Sequence, residues 1–350
     1  MNSPTANCRV SVIVLNYNGA RWLERCLDSL RAQTIFDQIE VILADNASSD
    51  GSDQVGKRII ETWPAGVFMQ HGQNLGYCEG NNRAADAARG QFLLFLNNDT
   101  WLEPRCLEQL LAEVQRMGAD AAAPLALNYD DDSFQSLGAF GFDLFGLSST
   151  RVFVPETREV LMPEGCAYLI RRELFQALGR FDSEFFMFAD ELDLSWRLWI
   201  AGHRAVGVPS AKLHHRRAAQ VNPAGGDAAV ELRTSDTKRF YANRNSLLVL
   251  LKNARLLLLL LVPLQLGLLA LEGVAALALV RRWGFVRRAY WDAVVDCWRL
   301  RRHILTERRR IRQFRRRGDL WMLRFLRWRL NRWDEIQRVR HYGLPKVSPG

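Results

Sequence analysis

Two familiar phosphate cradles are missing from this 350-residue chain. No Gly-x-Gly-x-x-Gly follows the first predicted strand, and no Gly-x-x-x-x-Gly-Lys-Ser/Thr occurs anywhere, which excludes the dinucleotide fingerprint and the P-loop. Six cysteines, at positions 8, 26, 78, 106, 166 and 297, never fall at Cys-x-x-Cys spacing. Neither a zinc site nor a disulfide framework is indicated, and a reducing compartment is expected. Met1 to Cys8 is polar, without a basic stretch before an apolar one, so no secretory signal is expected. An apolar content of 48% excludes a disordered chain, and the length suits one large or two ordinary domains.

The net charge of +9 conceals a split. Residues 281–350 hold 21 of the 47 Lys and Arg but only 6 of the 38 Asp and Glu, leaving 26 against 32 in the first 280. A tail of about +15 behind a front of about −6 reads as a separate functional region.

The most informative stretch is Phe92 to Thr100, Phe-Leu-Leu-Phe-Leu-Asn-Asn-Asp-Thr. Its apolar run is too short for a core helix and suits a strand buried on both faces of a parallel sheet. Ligands of open α/β sheets bind beyond the carboxyl ends of the strands, where Asn97, Asn98 and Asp99 would project. Oxygen donors there suit a hard cation that keeps sites open for phosphate. Arg9 to Leu15 is an earlier strand ending at Asn16 and Asn18, followed by a helix with Trp22, Leu23, Cys26, Leu27 and Leu30 on one face. Ile39 to Ala44 delivers Asp45 and Asn46 into a loop of turn residues, and Val67 to Gln70 reads as a short strand. Asn74-Leu75-Gly76 turns into a helix from about Glu79 to Arg89. The alternation implies a mostly parallel sheet with helical crossovers. Phosphate would then be met by a metal or by free N–H groups at the helix start near Gly76 to Asn82.

Further on, Asp130-Asp131-Asp132 reads as solvated loop and Gly165 to Arg172 as a strand. Phe181 to Arg197 sets aromatics before three carboxylates, with a helix from about Glu191 to Ala201 and Asp190 as its N-cap. A carboxylate desolvated by aromatics gains basicity and suits a general base for a hydroxyl. Arg204 to Val208 is expected to be a short strand. Of the pair His214-His215 at most one can face a metal, and His214, following an apolar residue, is the choice; Arg216-Arg217 could attract phosphate.

Val-Ser-Val-Ile-Val-Leu-Asn-Tyr-Asn-Gly, Asp45-Asn46-Ala-Ser-Ser-Asp-Gly-Ser, Asn74-Leu-Gly-Tyr-x-x-Gly-Asn-Asn82, Leu96-Asn-Asn-Asp-Thr100 and Phe-Asp-x-x-Phe-Phe-x-x-x-(acid)-(acid)-x-Asp together resemble family 2 glycosyltransferases. The likeness covers about residues 9 to 250 and is nearest the bacterial rhamnosyltransferase-like group. It implies an α/β GT-A fold, a nucleotide-sugar donor with rhamnose a candidate sugar, Mg²⁺ or Mn²⁺, and inversion at the anomeric carbon. By matching residues it implies that Asn16, Asn18, Asp45, Asn46, Asn74, Gly76, Asn82 and Asn98 serve the donor. Asp99, Asn97 and His214 would hold the metal, and the acidic pair would accept the acceptor's proton. The family's Glu-Asp order is reversed here to Asp190-Glu191, which puts Glu191 at the base position and leaves open which of the two acts. No nucleic-acid partner is implied.

Tyr241 to Asn253, with Arg244-Asn245, resembles the segment by which that family leaves its catalytic domain, giving expected regions of 1–253, 254–282 and 283–350. Leu256 to Leu271 is free of charge, and the apolar character continues past Glu272 to Val280. Pro263, Gln265 and Glu272 favour an interfacial or re-entrant segment over a full span. The Arg-rich remainder, interleaved with Trp283, Trp291, Trp298, Trp321, Trp328 and Trp333, suits an α-helical region lying on anionic headgroups. The expectation is thus an enzyme on the cytoplasmic face of the inner membrane, peripheral or monotopic, with a saccharide or lipid-linked acceptor. The competing classes are a nucleic-acid binder using the Arg/Trp tail and a catalytically silent relative that binds nucleotide sugars.

Overall fold

A computed structural model of the chain describes residues 8–149, 152–216, 220–221 and 231–348. The polar segment before Cys8 and the arginine at 217 lie outside the described residues. Two compact units result. One comprises Met1–Gly138, Arg151–Phe186 and His203–Arg217, the other Ala139–Thr150, Met187–Gly202 and Ala218–Gly350.

The first unit is built on one sheet. Strands β1 (Val10–Asn16), β2 (Ile39–Asp45), β3 (Gly66–Gln70) and β4 (Phe92–Asn97) run parallel in the order β4-β1-β2-β3. The side chains of β2 are buried throughout, and β4 is buried from Phe92 to Leu96, as continuous apolar runs require when both faces are covered. Helix α1 (Leu23–Arg31) buries Leu23, Cys26, Leu27 and Leu30, each leucine contributing about 1.5–3 kcal/mol. Helices α2 (Ser52–Ile60) and α3 (Gly76–Asp86) complete the βα units. Register places Asn16 beside Asp45 and Leu15 beside Asn97, so the polar ends of three strands finish level.

Beyond β4 the sheet departs from the parallel expectation. A short strand β5 (Thr100–Leu102), helix α4 (Cys106–Met117) and strands β6 (Ala121–Asn128) and β7 (Phe134–Ser136) follow. The hairpin β8 (Gly141–Phe142) and β9 (Ser148–Ser149) belongs to the second unit. Strand β10 (Arg158–Glu159) pairs with β12 (Ala205–His215), while β11 (Ala167–Arg171) inserts antiparallel between β4 and β6 and leads into α5 (Arg172–Ala177). The sheet is therefore mixed. The short strand expected at Arg204 to Val208 is an eleven-residue strand, β12 (Ala205–His215), parallel to β6. Pro209, which has no N–H to give, is absorbed by an irregularity between Val208 and Lys212.

The second unit packs α6 (Asp190–Ile200) on α7 (Asp236–Asn253). Asp193 is buried and accepts from Arg197 (2.7 Å), Lys252 (3.1 Å) and Asn253 (2.7 Å). Trp196 stacks on Phe142 at 5.0 Å, and Trp199 meets Phe325 at 4.8 Å. A 3₁₀ turn, Leu257–Leu260, runs into α8 (Leu261–Val280). Together they are the one helix among the described residues long and apolar enough to cross a membrane, 24 residues with mean hydropathy 2.2. Pro263 is tolerated because it falls in the first turn of α8, and Glu272 is paired with Arg332.

The basic tail belongs to the second unit. It continues through α9 (Trp283–Val286), a π-helical turn, α10 (Ala293–Arg299), α11 (Arg301–Phe314), α12 (Asp319–Met322) and α13 (Asn331–Tyr342). Arg308 donates to the carbonyls of Leu251 and Ala254, and Arg315 to that of Asn253, so tail arginines satisfy the end of α7. Asp319 accepts from the main-chain N–H groups of Arg255, Leu256 and Leu258, which opens the apolar helix.

Candidate active site

At the level ends of β1, β2 and β4 the polar side chains form one network. Asn16 Nδ2 donates to Asp45 Oδ1 (2.8 Å) and Ser52 Oγ (2.8 Å), and its Oδ1 accepts from Asn98 (2.8 Å). Asp45 also accepts from the Ser48 N–H (2.8 Å), the Ser48 hydroxyl (2.6 Å) and Gln70 (3.0 Å). Asn18, exposed and at φ 52°, holds the Ser49 N–H through its Oδ1. Both Asn16 and Asp45 are fully buried. Asn46 is buried too. Its Nδ2 donates to the Gly76 carbonyl, but its Oδ1 has no hydrogen-bond partner among the described residues.

The start of α3 differs from the expectation of free N–H groups. Asn74 Oδ1 accepts from Gly76 N, while the Phe186 carbonyl accepts from Tyr77 N (2.6 Å) and Cys78 N (3.3 Å). Gly76 sits at φ 74° against Phe186, where a Cβ would lie 2.4 Å from the ring. The two ends of the Asn82 amide bind the main chain of Phe181, so Asn82 fixes that loop instead of facing a ligand. Phe181 itself packs with Tyr77, Phe95 and Phe175.

Asn97 closes β4, its carbonyl accepting from Thr100 Oγ1. Asp99 follows, nine-tenths buried, with His215 Nε2 at 3.5 Å from its Oδ1. Of the two histidines it is His215, not the expected His214, that lies beside Asp99. Adjacent strand residues face opposite ways, and His214 stacks on Trp101 (3.6 Å, 1°) near Asp132 while His215 takes the Asp99 side. Gln135 fixes the His215 tautomer. Its Nε2 donates to Asn128 Oδ1 and to the His215 carbonyl, which leaves its Oε1 to accept from His215 Nδ1 at 2.8 Å. Nε2 is thus the atom aimed at Asp99. Burial disfavours a charged ring, yet Cys166 and Asp99 beside it outweigh burial and raise the His215 pKa to about 10. Burial likewise pushes the Asp99 carboxyl up, but His215 and Arg216 hold it below the ordinary value. His215 and Asp99 thus make an ion pair, and a cation bound here would take the place of the His215 Nε2 proton.

An imidazole nitrogen and a carboxylate oxygen are suitable donors for Mg²⁺ or Mn²⁺. Among the described residues no three His, Cys, Asp or Glu side chains converge as a metal cluster.

The acidic pair lies in the second unit. Ala189, not Asp190, is the N-cap of α6, and it makes no side-chain bond. Asp190 is buried with an Oδ2 that no described group binds, and burial together with Glu191 pushes its pKa well up. Glu191 is half-buried. Asp193 faces the Arg197–Lys252 cluster instead and serves folding. Phe188 and Ala189, just before the pair, hold φ of 70° and 59°, each a strain of about 1–3 kcal/mol.

A family model described as Glycosyl transferase family 2 matches residues 11–179. An N-acetylglucosaminyl-diphospho-decaprenol L-rhamnosyltransferase of Mycobacterium tuberculosis is 30% identical over 266 residues, spanning 67% of this chain and 84% of that protein. The chain belongs to glycosyl transferase family 2. The O-antigen biosynthesis protein RfbC of Myxococcus xanthus is also 30% identical over 60% of this glycosyltransferase, which spans only 17% of that longer protein. Solved structures agree on the fold. S. aureus TarS 1–349 with UDP superposes with a TM-score of 0.55 at 16% identity, covering 87% of this chain and 88% of that one. A Pyrobaculum calidifontis mannosyltransferase with GDP-Man and Mn²⁺ gives 0.52 at 18%, covering 89% and 87%. The fold of this glycosyltransferase is thus GT-A-like. Sequence reasoning missed His215, Gln135 and Gln70 in it. Strand alternation carried the signal for His215, but no local pattern marks the two glutamines.

Proposed function

We propose that this glycosyltransferase transfers a sugar, rhamnose being the leading candidate, from a nucleoside-diphosphate donor to a saccharide or lipid-linked acceptor in cell-surface polysaccharide synthesis. The observation that carries the reading is the Asp99–His215 pair, oriented by Gln135 at the sheet's carboxyl ends beside the Asn16–Asp45 network. Asn16, Asn18, Asp45, Asn46, Asn74, Gly76 and Asn98 shape the donor's base and ribose seat, and Asp99 with His215 holds the cation. When bound, a divalent cation supplies charge neutralisation to the departing diphosphate. Glu191, at the family's base position, or the buried Asp190 accepts the acceptor hydroxyl's proton as that oxygen attacks, so one displacement inverts the anomeric centre without a covalent intermediate.

In this reading residues 1–253 carry catalysis, 254–282 the apolar segment and 283–350 the basic tail. Exposed Leu271, Val274 and Leu279 on α8, with exposed Trp283, Trp291 and Trp298 among arginines, support a location on the cytoplasmic face of the inner membrane. Incubating the full chain with a panel of nucleotide sugars, Mn²⁺ and polyprenyl-diphosphate sugars tests the function, with anomeric configuration read by NMR. Inverted product lost in Asp99→Ala is expected, and retained configuration, or no turnover with any donor, would overturn it.

A further inference from the structure

Phe188 and Ala189 lead directly into Asp190 and Glu191, and both hold positive φ, a region that side chains other than glycine rarely adopt. Such a turn persists only when its surroundings fix it. In the second unit the fixing group is Asn245 on α7. Its Nδ2 donates to two consecutive carbonyls, Met187 at 2.7 Å and Phe188 at 2.9 Å, and the residue is fully buried. The amide is itself oriented, because Arg244 Nε donates to Asn245 Oδ1 at 2.9 Å. A reversed amide would set its oxygen against two carbonyls and its NH₂ against a guanidinium. The other arm of Arg244 reaches Asp296 Oδ2, on α10, at 2.9 Å, and its guanidinium lies 4.9 Å from the Tyr241 ring centre. Cys297, next along α10, donates its thiol to the Arg244 carbonyl.

We propose that Asp296, Arg244 and Asn245 form a positioning relay through which the basic C-terminal segment sets the turn bearing the acidic pair. The inference rests on the reading of that pair as the proton acceptor. None of the three relay residues touches the reacting atoms. Their work is to hold two carbonyls of a strained turn, and with them the direction in which α6 begins and presents its first two carboxylates. A charge-assisted bond at one end and a doubly donating amide at the other make the chain stiff along its length.

The test is steady-state transfer by full-length protein with the most active donor and Mn²⁺, beside thermal midpoints. Asn245→Ala is expected to lower kcat about a hundredfold and Asp296→Asn about tenfold, with the donor KM changed less than about twofold. The double variant should be no slower than Asn245→Ala alone, since both act through one contact. Amide exchange at residues 187–192 should quicken in Asn245→Ala. An unchanged kcat in folded Asn245→Ala, a multiplicative double variant, or a loss confined to KM would overturn the relay. If Asn245→Ala does not fold, Asp296→Asn decides alone, and its full kcat would overturn the proposal. Asp190→Asn and Glu191→Gln separate the two readings. Full turnover in both defeats the base assignment, whereas loss in either one with intact Asn245→Ala defeats only the relay.

Discussion

Replacing Gln135 by Leu removes one bond that matters to the proposed cation site and leaves its two donors in place. In the wild type, Gln135 Oε1 accepts from His215 Nδ1 at 2.8 Å, and two further bonds from its Nε2 keep that oxygen pointed at the ring. Without it, the Nδ1 proton has no fixed partner and either nitrogen can turn toward Asp99. Loss of such an outer partner costs about 10–100-fold in metal affinity, or about 1.4–2.8 kcal/mol. The assay is initial transfer rate against Mn²⁺ concentration. The half-saturating concentration should rise by about that factor in Gln135→Leu, while the rate at saturating Mn²⁺ recovers to within a few-fold. Gln135→Glu retains an acceptor for Nδ1 and should keep the half-saturating concentration near the wild-type value. An unchanged Mn²⁺ dependence in Gln135→Leu would refute the argument. So would a dependence abolished by His214→Ala but not by His215→Ala.

Other expectations concern proton balance and helix ends. Burial, then Glu191, raises the Asp190 pKa. If Asp190 is the base, kcat climbs with pH through a value above the usual aspartate range, and an acid limb at ordinary carboxylate pH would exclude it. Burial alone would raise the Glu40 pKa, but Ser11 and Arg89 outweigh it and depress it. The stability from that carboxylate is therefore complete above the unfolded glutamate pKa and drains away as pH falls through the lower folded value. Thermal midpoints of wild type and Glu40→Gln should converge on acidification, and a constant gap would contradict this. Asp319→Ala strands the N–H groups of Arg255, Leu256 and Leu258, and should cost about 1–3 kcal/mol in denaturant titrations. An unshifted midpoint would show those groups to be met by water.

The strands β1, β2 and β4 were legible because burial on both faces leaves an uninterrupted apolar run, and their polar ends were legible because parallel strands all bring their carboxyl ends to one edge of the sheet. For the histidines, alternation showed only that 214 and 215 face apart; which of them lies beside Asp99 depends on the register of β12 beyond the irregularity at Pro209, which the apolar neighbour at 213 does not reveal. The start of α3 was misread because its cap is a carbonyl from Phe186, more than a hundred residues further along, and main-chain acceptors leave no trace in composition. Charge counting made the tail look independent. Nothing in the letters separates Arg308 or Arg315, which close the end of α7, from the arginines that face outward.

Those two arginines and Asp319 bear on how the enzyme can be handled. A polypeptide stopped near residue 253, the natural cut for anyone wanting a water-soluble catalytic fragment, would leave the carbonyls of Leu251 and Asn253 without their donors. It would also lose the Asp296 arm that steadies Arg244. Solubility is better sought by exchanging outward leucines and tryptophans, such as Leu271, Leu279, Trp291 and Trp298, for polar residues while the backbone is kept whole.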